Sequence, residues 1–292
     1  MATAYPQLGR VTFLGGRGDL PTMEINTAWS TAEIYLHGAH VTHFQKKGEP
    51  PLLFLSQCSR FADGQPIRGG IPIIFPWFGK PADKPGQHGF ARITDWDLKE
   101  ITTGADGTVI VRMTMPKCPE LADGAIAVEY IVTVNAGLTA ELVVTNKSSG
   151  EFTFENCLHT YFTVGDITAV SVAGLKGVDY VDQVAAFARK TETGESIRIA
   201  EEVDRIYLNT QHAVEIRDAS LRRSIRVEKE GSASTVVWNP WIAKAKAMQD
   251  FGDEEYKQMV CVESGNVASN RITLNPESHS RLKVKLSSAP AS

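Results

Sequence analysis

Residues Ala125–Val134 carry the clearest pattern in the chain. Ile126, Val128, Tyr130, Val132 and Val134 share one parity and alternate with other side chains. Period two with β-branched residues marks a strand with one buried face. The same reading predicts strands at Thr31–Leu36, Val41–Phe44, Thr108–Met115, Thr139–Asn146, Glu151–Glu155, Thr168–Val172, Ala213–Arg217, Leu221–Glu228, Ser234–Trp238 and Leu282–Leu286, with a small-residue tail, Ser287–Ser292, after the last. Helix is scarce. Ile242–Phe251 is the best stretch, rich in Ala, Lys and Met and preceded by Pro240, which suits a helix start. Gln183–Arg189 is a shorter and weaker one.

Twenty-four glycines and 14 prolines break the apolar segments into short pieces. Many short strands with turn signals, and no helices of the length that parallel α/β folds place between strands, predict an all-β sandwich or barrel. No linker, repeat or low-complexity run divides the chain, so residues 1–292 are expected to form one domain, a length that such folds reach.

Charge removes several function classes. Thirty Lys and Arg against 34 Asp and Glu give a net charge of −4, and neither a basic excess nor basic–aromatic interleaving points to nucleic acid. No apolar run is long enough to span a membrane, and Met1–Arg17 lacks the basic-then-apolar order of a signal peptide. Cys58, Cys118, Cys157 and Cys261 are widely spaced with no CxxC pair, which reads as free thiols, not a zinc site or a disulfide framework. A cytoplasmic protein follows, expected to be a monomer. His37, His40 and His43 recur at three-residue spacing, but a break at Gly38 scatters them, and no metal is expected.

Three segments are chemically unusual for such a scaffold. Arg68–Gly79 sets two glycines and two prolines around an apolar run, either a structural corner or a rigid backbone that aims Arg68 at an anion. Gln87-His88-Gly89-Phe90-Ala91-Arg92 places three polar side chains in six positions, and Arg92 with Arg68 would make a fork for phosphate or carboxylate. In Glu155–Phe162, His159 sits among apolar neighbours, as a core histidine or a catalyst. Glu263, in Val262-Glu263-Ser264-Gly265-Asn266, is a carboxylate in an apolar strand, where its desolvation needs a reason. Asp204 is a weaker case of the same kind.

These strings, in this order and spacing, resemble the aldose 1-epimerase, or galactose-mutarotase-like, superfamily, and more closely its hexose-6-phosphate mutarotase (glucose-6-phosphate 1-epimerase) branch. The resemblance runs from Gly38-Ala39 to Asn266 and rests on Pro66–Gly79, Gln87–Arg92, His159 with Tyr161-Phe162, Asp204, Val237–Trp241 and Glu263. It implies an all-β, large antiparallel supersandwich and interconversion of the anomers of hexose 6-phosphates without a cofactor. It implies His159 as catalytic acid and Glu263 as catalytic base, with Arg68, Gln87, His88, Arg92 and Asp204 contacting the sugar phosphate. For that chemistry His159 is expected to be charged beside an ionised Glu263, its pKa raised by its partners. The rival of a different class is a non-catalytic carbohydrate-binding sandwich, which would not need His159 and Glu263 together.

Overall fold

The computed structural model describes residues 9–291. Of the Met1–Arg17 segment read for a leader, Met1–Leu8 lie outside the described residues, as does Ser292. Two large antiparallel sheets face one another. One has nine strands in the order Ser196–Arg198, Val170–Ala173, Val214–Asp218, Arg223–Glu230, Ser278–Pro290, Leu138–Asn146, Ile126–Val134, Val109–Thr114 and Asp97–Thr103. The other runs Ala188–Thr191, Asp179–Asp182, Val203–Leu208, Ser234–Asn239, Met259–Asn266, Asn156–Leu158 and Ile73–Ile74, with Tyr161–Thr163 also paired to Met259–Asn266. A four-stranded sheet, from Arg10–Gly15 to His40–Lys46, and the pair Phe152–Phe154 with Ile272–Leu274 complete the β-structure.

The alternating segments behave as the pattern requires. Ile126–Val134 and Leu138–Asn146 bury every second residue, and Val132, Leu142, Val227 and Val284 meet Leu158, Val237, Val260 and Val262 of the other sheet in one apolar core. That leaves the opposite face of the second sheet free to carry chemistry. The strand expected at Leu282–Leu286 is longer than its alternation. It continues through most of the small-residue tail to Pro290, because Ser287, Ser288, Ala289 and Pro290 stay paired with Arg226, Ile225, Ser224 and Arg223.

The helix expected over Ile242–Phe251 is present as Trp241–Ala247 and ends early. The expected Gln183–Arg189 helix does not form. Asp182 pairs with Ala188 across a hairpin, and its carboxylate accepts the Ala185 N–H at 3.1 Å, so local side-chain bonding closes a turn where a helix would have begun. No helix among the described residues is long and apolar enough to cross a membrane.

Candidate active site

The Met259–Asn266 strand is buried along its whole length. Val260 and Val262 point into the core between the sheets, so Cys261 and Glu263 face the other way. Two short strands pair beside it. Leu158 lies opposite Ser264, and Tyr161 lies opposite Cys261. The same register sets His159 across from Glu263, and His159 Nε2 comes within 3.1 Å of Glu263 Oε1. The pair is a cross-strand neighbour contact, whatever the 104-residue distance along the chain suggests.

Around the pair the sheet supplies a wall. Trp238 presents its ring to His159 edge-on at 5.9 Å, and Tyr161 stacks on His159 at 4.8 Å with an interplanar angle of 16°. Asp204 lies opposite Trp238 and so enters the same face from the next strand. A cavity of about 190 Å³ opens here, lined by Arg68, Gln87, His88, His159, Asp204 and Glu263 together with Trp238, Gln183 and Lys244. Six of the seven residues singled out in the sequence thus converge on one space. Trp241 instead packs on Tyr256, with ring centroids 5.2 Å apart.

Arg68 reaches the cavity from a turn that tolerates no side chain next to it. Gly70 has φ +61°, and a Cβ there would lie 2.2 Å from the Val41 carbonyl oxygen. His40 Nε2 donates to the Gly69 carbonyl at 2.7 Å and pins the same turn from beneath. The guanidinium is then fixed from two sides. Nε and Nη2 donate to Asp250 Oδ2, and Nη1 donates to the Tyr161 hydroxyl at 3.1 Å. Burial works against the charge, but Tyr161 and Asp250 outweigh it and hold Arg68 above the usual arginine range.

Arg92 is placed differently. It is buried in a single turn at Ala91–Ile93, where Nη2 donates to the Gln87 carbonyl at 2.8 Å, and it lines a neighbouring cavity of about 940 Å³ on the far side of Gln87. Burial first, then Arg68, push it down to about 10. Gln87 borders both cavities.

His88 Nδ1 accepts the Gly79 N–H at 3.0 Å, which in a neutral ring leaves the proton on Nε2. Burial, then Arg92, His159 and Arg68, push its pKa well down, in accord with that tautomer. Asp204 is raised by burial, against the pull of Lys244 and Gln183. Glu263 is raised well above the carboxylate range by burial and by Asp204.

The expected upward shift of His159 is not found. Burial, Arg92 and Arg68 push it well down. Two nearby guanidinium groups and a dry site outweigh the single carboxylate partner. With His159 lowered and Glu263 raised, the resting pair disfavours the imidazolium–carboxylate form and holds one proton between neutral groups.

His159, Cys261 and Glu263 bring possible ligand atoms within 4.8 Å of one another, but they do not suit a metal. Burial, and then Glu263, push the Cys261 thiol well up, away from the thiolate that coordinates. At His37, Asp63 and Asp95, both imidazole nitrogens already bond, to Asp95 and to the Gln65 carbonyl, each at 2.8 Å.

Gln183, Lys244, Tyr161 and Asp250 escaped the sequence reading. Gln183 donates to Asp204, and Lys244 Nζ lies 3.1 Å from Glu202 and 3.7 Å from Asp204. Tyr161 stood in a quoted motif with no role, and Asp250 lies in an unremarkable acidic turn whose partner is 182 residues away.

An antiparallel supersandwich with a His–Glu pair in a cavity on one sheet defines a class, and comparison with known proteins agrees. Residues 21–287 match the family model for aldose 1-epimerase. The chain belongs to the aldose 1-epimerase family. A Cenchrus ciliaris protein that bears glucose-6-phosphate 1-epimerase as a provisional name is 39% identical over 272 residues, which is 89% of this chain and 82% of that one. An Escherichia coli protein with the same provisional name is 36% identical over 85% of this chain and 84% of its own. Among solved structures, a Salmonella typhimurium protein provisionally described as a mutarotase superposes with a TM-score of 0.88 at 30% identity, over 99% of this chain and 96% of that one. A galactose mutarotase-like protein from Clostridium acetobutylicum shares the fold at a TM-score of 0.67 and 16% identity, over 97% of this chain and 98% of that one.

Proposed function

We propose that this protein interconverts the α and β anomers of glucose 6-phosphate, and of related hexose 6-phosphates, by acid/base opening and reclosure of the ring. The 3.1 Å approach of His159 Nε2 to Glu263 Oε1, in a cavity rimmed by Arg68 and Lys244, carries the reading. A carbohydrate-binding protein without catalysis would use the rim but gives no reason to bury an acid–base pair inside it.

Glu263 takes the proton of the anomeric O1 hydroxyl as the C1–O5 bond breaks, and the bond's electron pair goes to O5. His159 protonates O5. The open aldehyde turns about C1–C2 and recloses on its other face, His159 taking the O5 proton back and Glu263 returning one to O1. Each proton transfer in such a pair contributes about 10²–10⁴-fold. His88, Gln87 and Asp204 hold ring hydroxyls, and the 6-phosphate is bound by Arg68, with Arg92 behind Gln87 adding charge. Binding energy from this remote, unreactive group then fixes the sugar at the pair.

The phosphate also sets the protons. Arg68 is one of the charges that hold His159 down. A dianion against Arg68 offsets that charge, and the proton shared with Glu263 passes to His159, which gives the acid and base forms that ring opening requires. The reading extends to residues 1–292 as one catalytic domain working as a monomer in the cytoplasm, a reducing compartment that suits the four free thiols.

The test is an anomerisation assay on glucose 6-phosphate with purified protein. His159→Ala and Glu263→Gln should each bring the rate close to the spontaneous background. Near-normal rates in either variant would sink the assignment.

A further inference from the structure

Both oxygens of Glu263 have partners before any sugar arrives. Oε1 faces His159 Nε2 at 3.1 Å, and Oε2 accepts the Cys157 thiol at 3.4 Å. Cys157 lies two residues before His159 on the adjacent strand and is fully buried. Its neighbour across the sheet is Gly265, where a Cβ would come within 2.8 Å of Cys157 Sγ, so the absence of a side chain there is what gives the thiol its room. Among the described residues no lysine or arginine forms an ion pair with Glu263. The carboxylate therefore depends on two uncharged or transiently charged donors, and one of them is a reactant.

We infer that Cys157 is a positioning residue of the reaction: its S–H holds the Glu263 carboxylate turned toward the sugar while His159 is giving its proton to the ring oxygen. This rests on the reading of Glu263 as the base. The physical need is specific to the step. As His159 turns its proton from Oε1 toward the ring oxygen, Glu263 is still ionised and has yet to take the O1 proton, and a buried carboxylate left without a donor at that point either rotates away or takes up a proton from elsewhere. A donor on Oε2 that takes no part in the chemistry prevents both. The thiol fits this role because burial, and then Glu263, push its pKa well up, so it remains a donor.

The experiment compares Cys157→Ala and Cys157→Ser in the full-length protein, with kcat, KM and the pH profile of kcat/KM for glucose 6-phosphate. Cys157→Ala should lower kcat about tenfold at little-changed KM, the size expected for losing a hydrogen bond to a charged group. It should also move the acid limb to higher pH, because the base loses a bond that favours its ionised form. Cys157→Ser, which keeps a donor, should restore both. A wild-type acid limb in Cys157→Ala overturns the inference, as does a serine variant no better than alanine. Infrared spectroscopy covers the case in which the alanine variant does not fold. The S–H stretch of Cys157, isolated as the difference between wild type and Cys157→Ser, should lie below that of an unbonded thiol, and an unbonded position overturns the inference. Glu263→Gln separates the two levels: an active Glu263→Gln removes the base, whereas an inactive one beside an unperturbed Cys157→Ala removes only the positioning role.

Discussion

Asp250 Oδ2 accepts two hydrogen bonds from Arg68, from Nε at 3.2 Å and from Nη2 at 3.0 Å. The third, from Nη1, goes to Tyr161, the residue stacked on His159. Arg68 is thereby tied to the ring that stacks on His159. Replacing Asp250 by Ala removes two of three anchors. The expected result is a fall in kcat/KM for glucose 6-phosphate of about tenfold or more, from the typical cost of charge-assisted bonds. Steady-state anomerisation kinetics check it, and an unchanged KM would show that the tether does not position Arg68.

Arg68→Ala separates binding from chemistry. It should lower kcat/KM for glucose 6-phosphate by about 10²-fold, with glucose itself affected far less, because only the phosphorylated sugar offers a charge to the lost guanidinium. The same assay run on both sugars decides it. Equal losses would mean that Arg68 supports the fold of the cavity without meeting phosphate.

Acid should destabilise the protein through its buried imidazoles. His40 is pushed down to about 3 by burial, and His88 and His159 are also lowered. A histidine whose folded pKa is depressed leaves the unfolded chain binding more protons below about 6.5, so stability falls as pH drops through that value and continues falling toward the folded pKa. His40 alone should cost ~2 kcal/mol between pH 6.5 and 5. Glu263 acts in the opposite direction: its folded pKa is raised, so it favours the folded state more as pH falls from its own folded value toward the ordinary carboxylate range. Urea midpoints across this range should therefore fall with acid, and His40→Gln, which keeps a donor for the Gly69 carbonyl, should flatten the slope.

Gly70→Ala should cost about 2–4 kcal/mol, from strain at positive φ and from collision with the Val41 carbonyl. Because Gly70 adjoins the turn that presents Arg68, activity on the phosphorylated sugar should fall further than thermal stability alone would explain. Thermal melts alongside kinetics test this, and a variant with wild-type melting would show that the turn has room to relax.

How much of this was legible depended on which faces of a strand are buried. Ile126–Val134 has one buried face, so its alternation is plain and its boundaries were nearly right. Met259–Asn266 is buried on both faces, so the strand that carries Glu263 has no alternation to find and only the anomaly of a carboxylate in apolar surroundings marked it. His159 and Glu263 were identifiable as types, but their facing register is a property of pairing that no local pattern encodes. The protonation state was misread for a related reason. A histidine beside a carboxylate reads as raised, and only the packed structure reveals the depth of burial and the two guanidinium groups that reverse the shift.

His159 lies in the short break between two strands that both pair with the strand of Glu263, and it keeps their register, so the gap between the two residues follows the hydrogen-bonded spacing of a β-sheet, about 4.8 Å and common to all such ladders. Gln87 and Gln183, from loops outside the sheet ladders, shape the rim but have no part in that measure. The ruler for the His159–Glu263 pair is therefore built into the backbone, and the rim can be redrawn without recalibrating that distance.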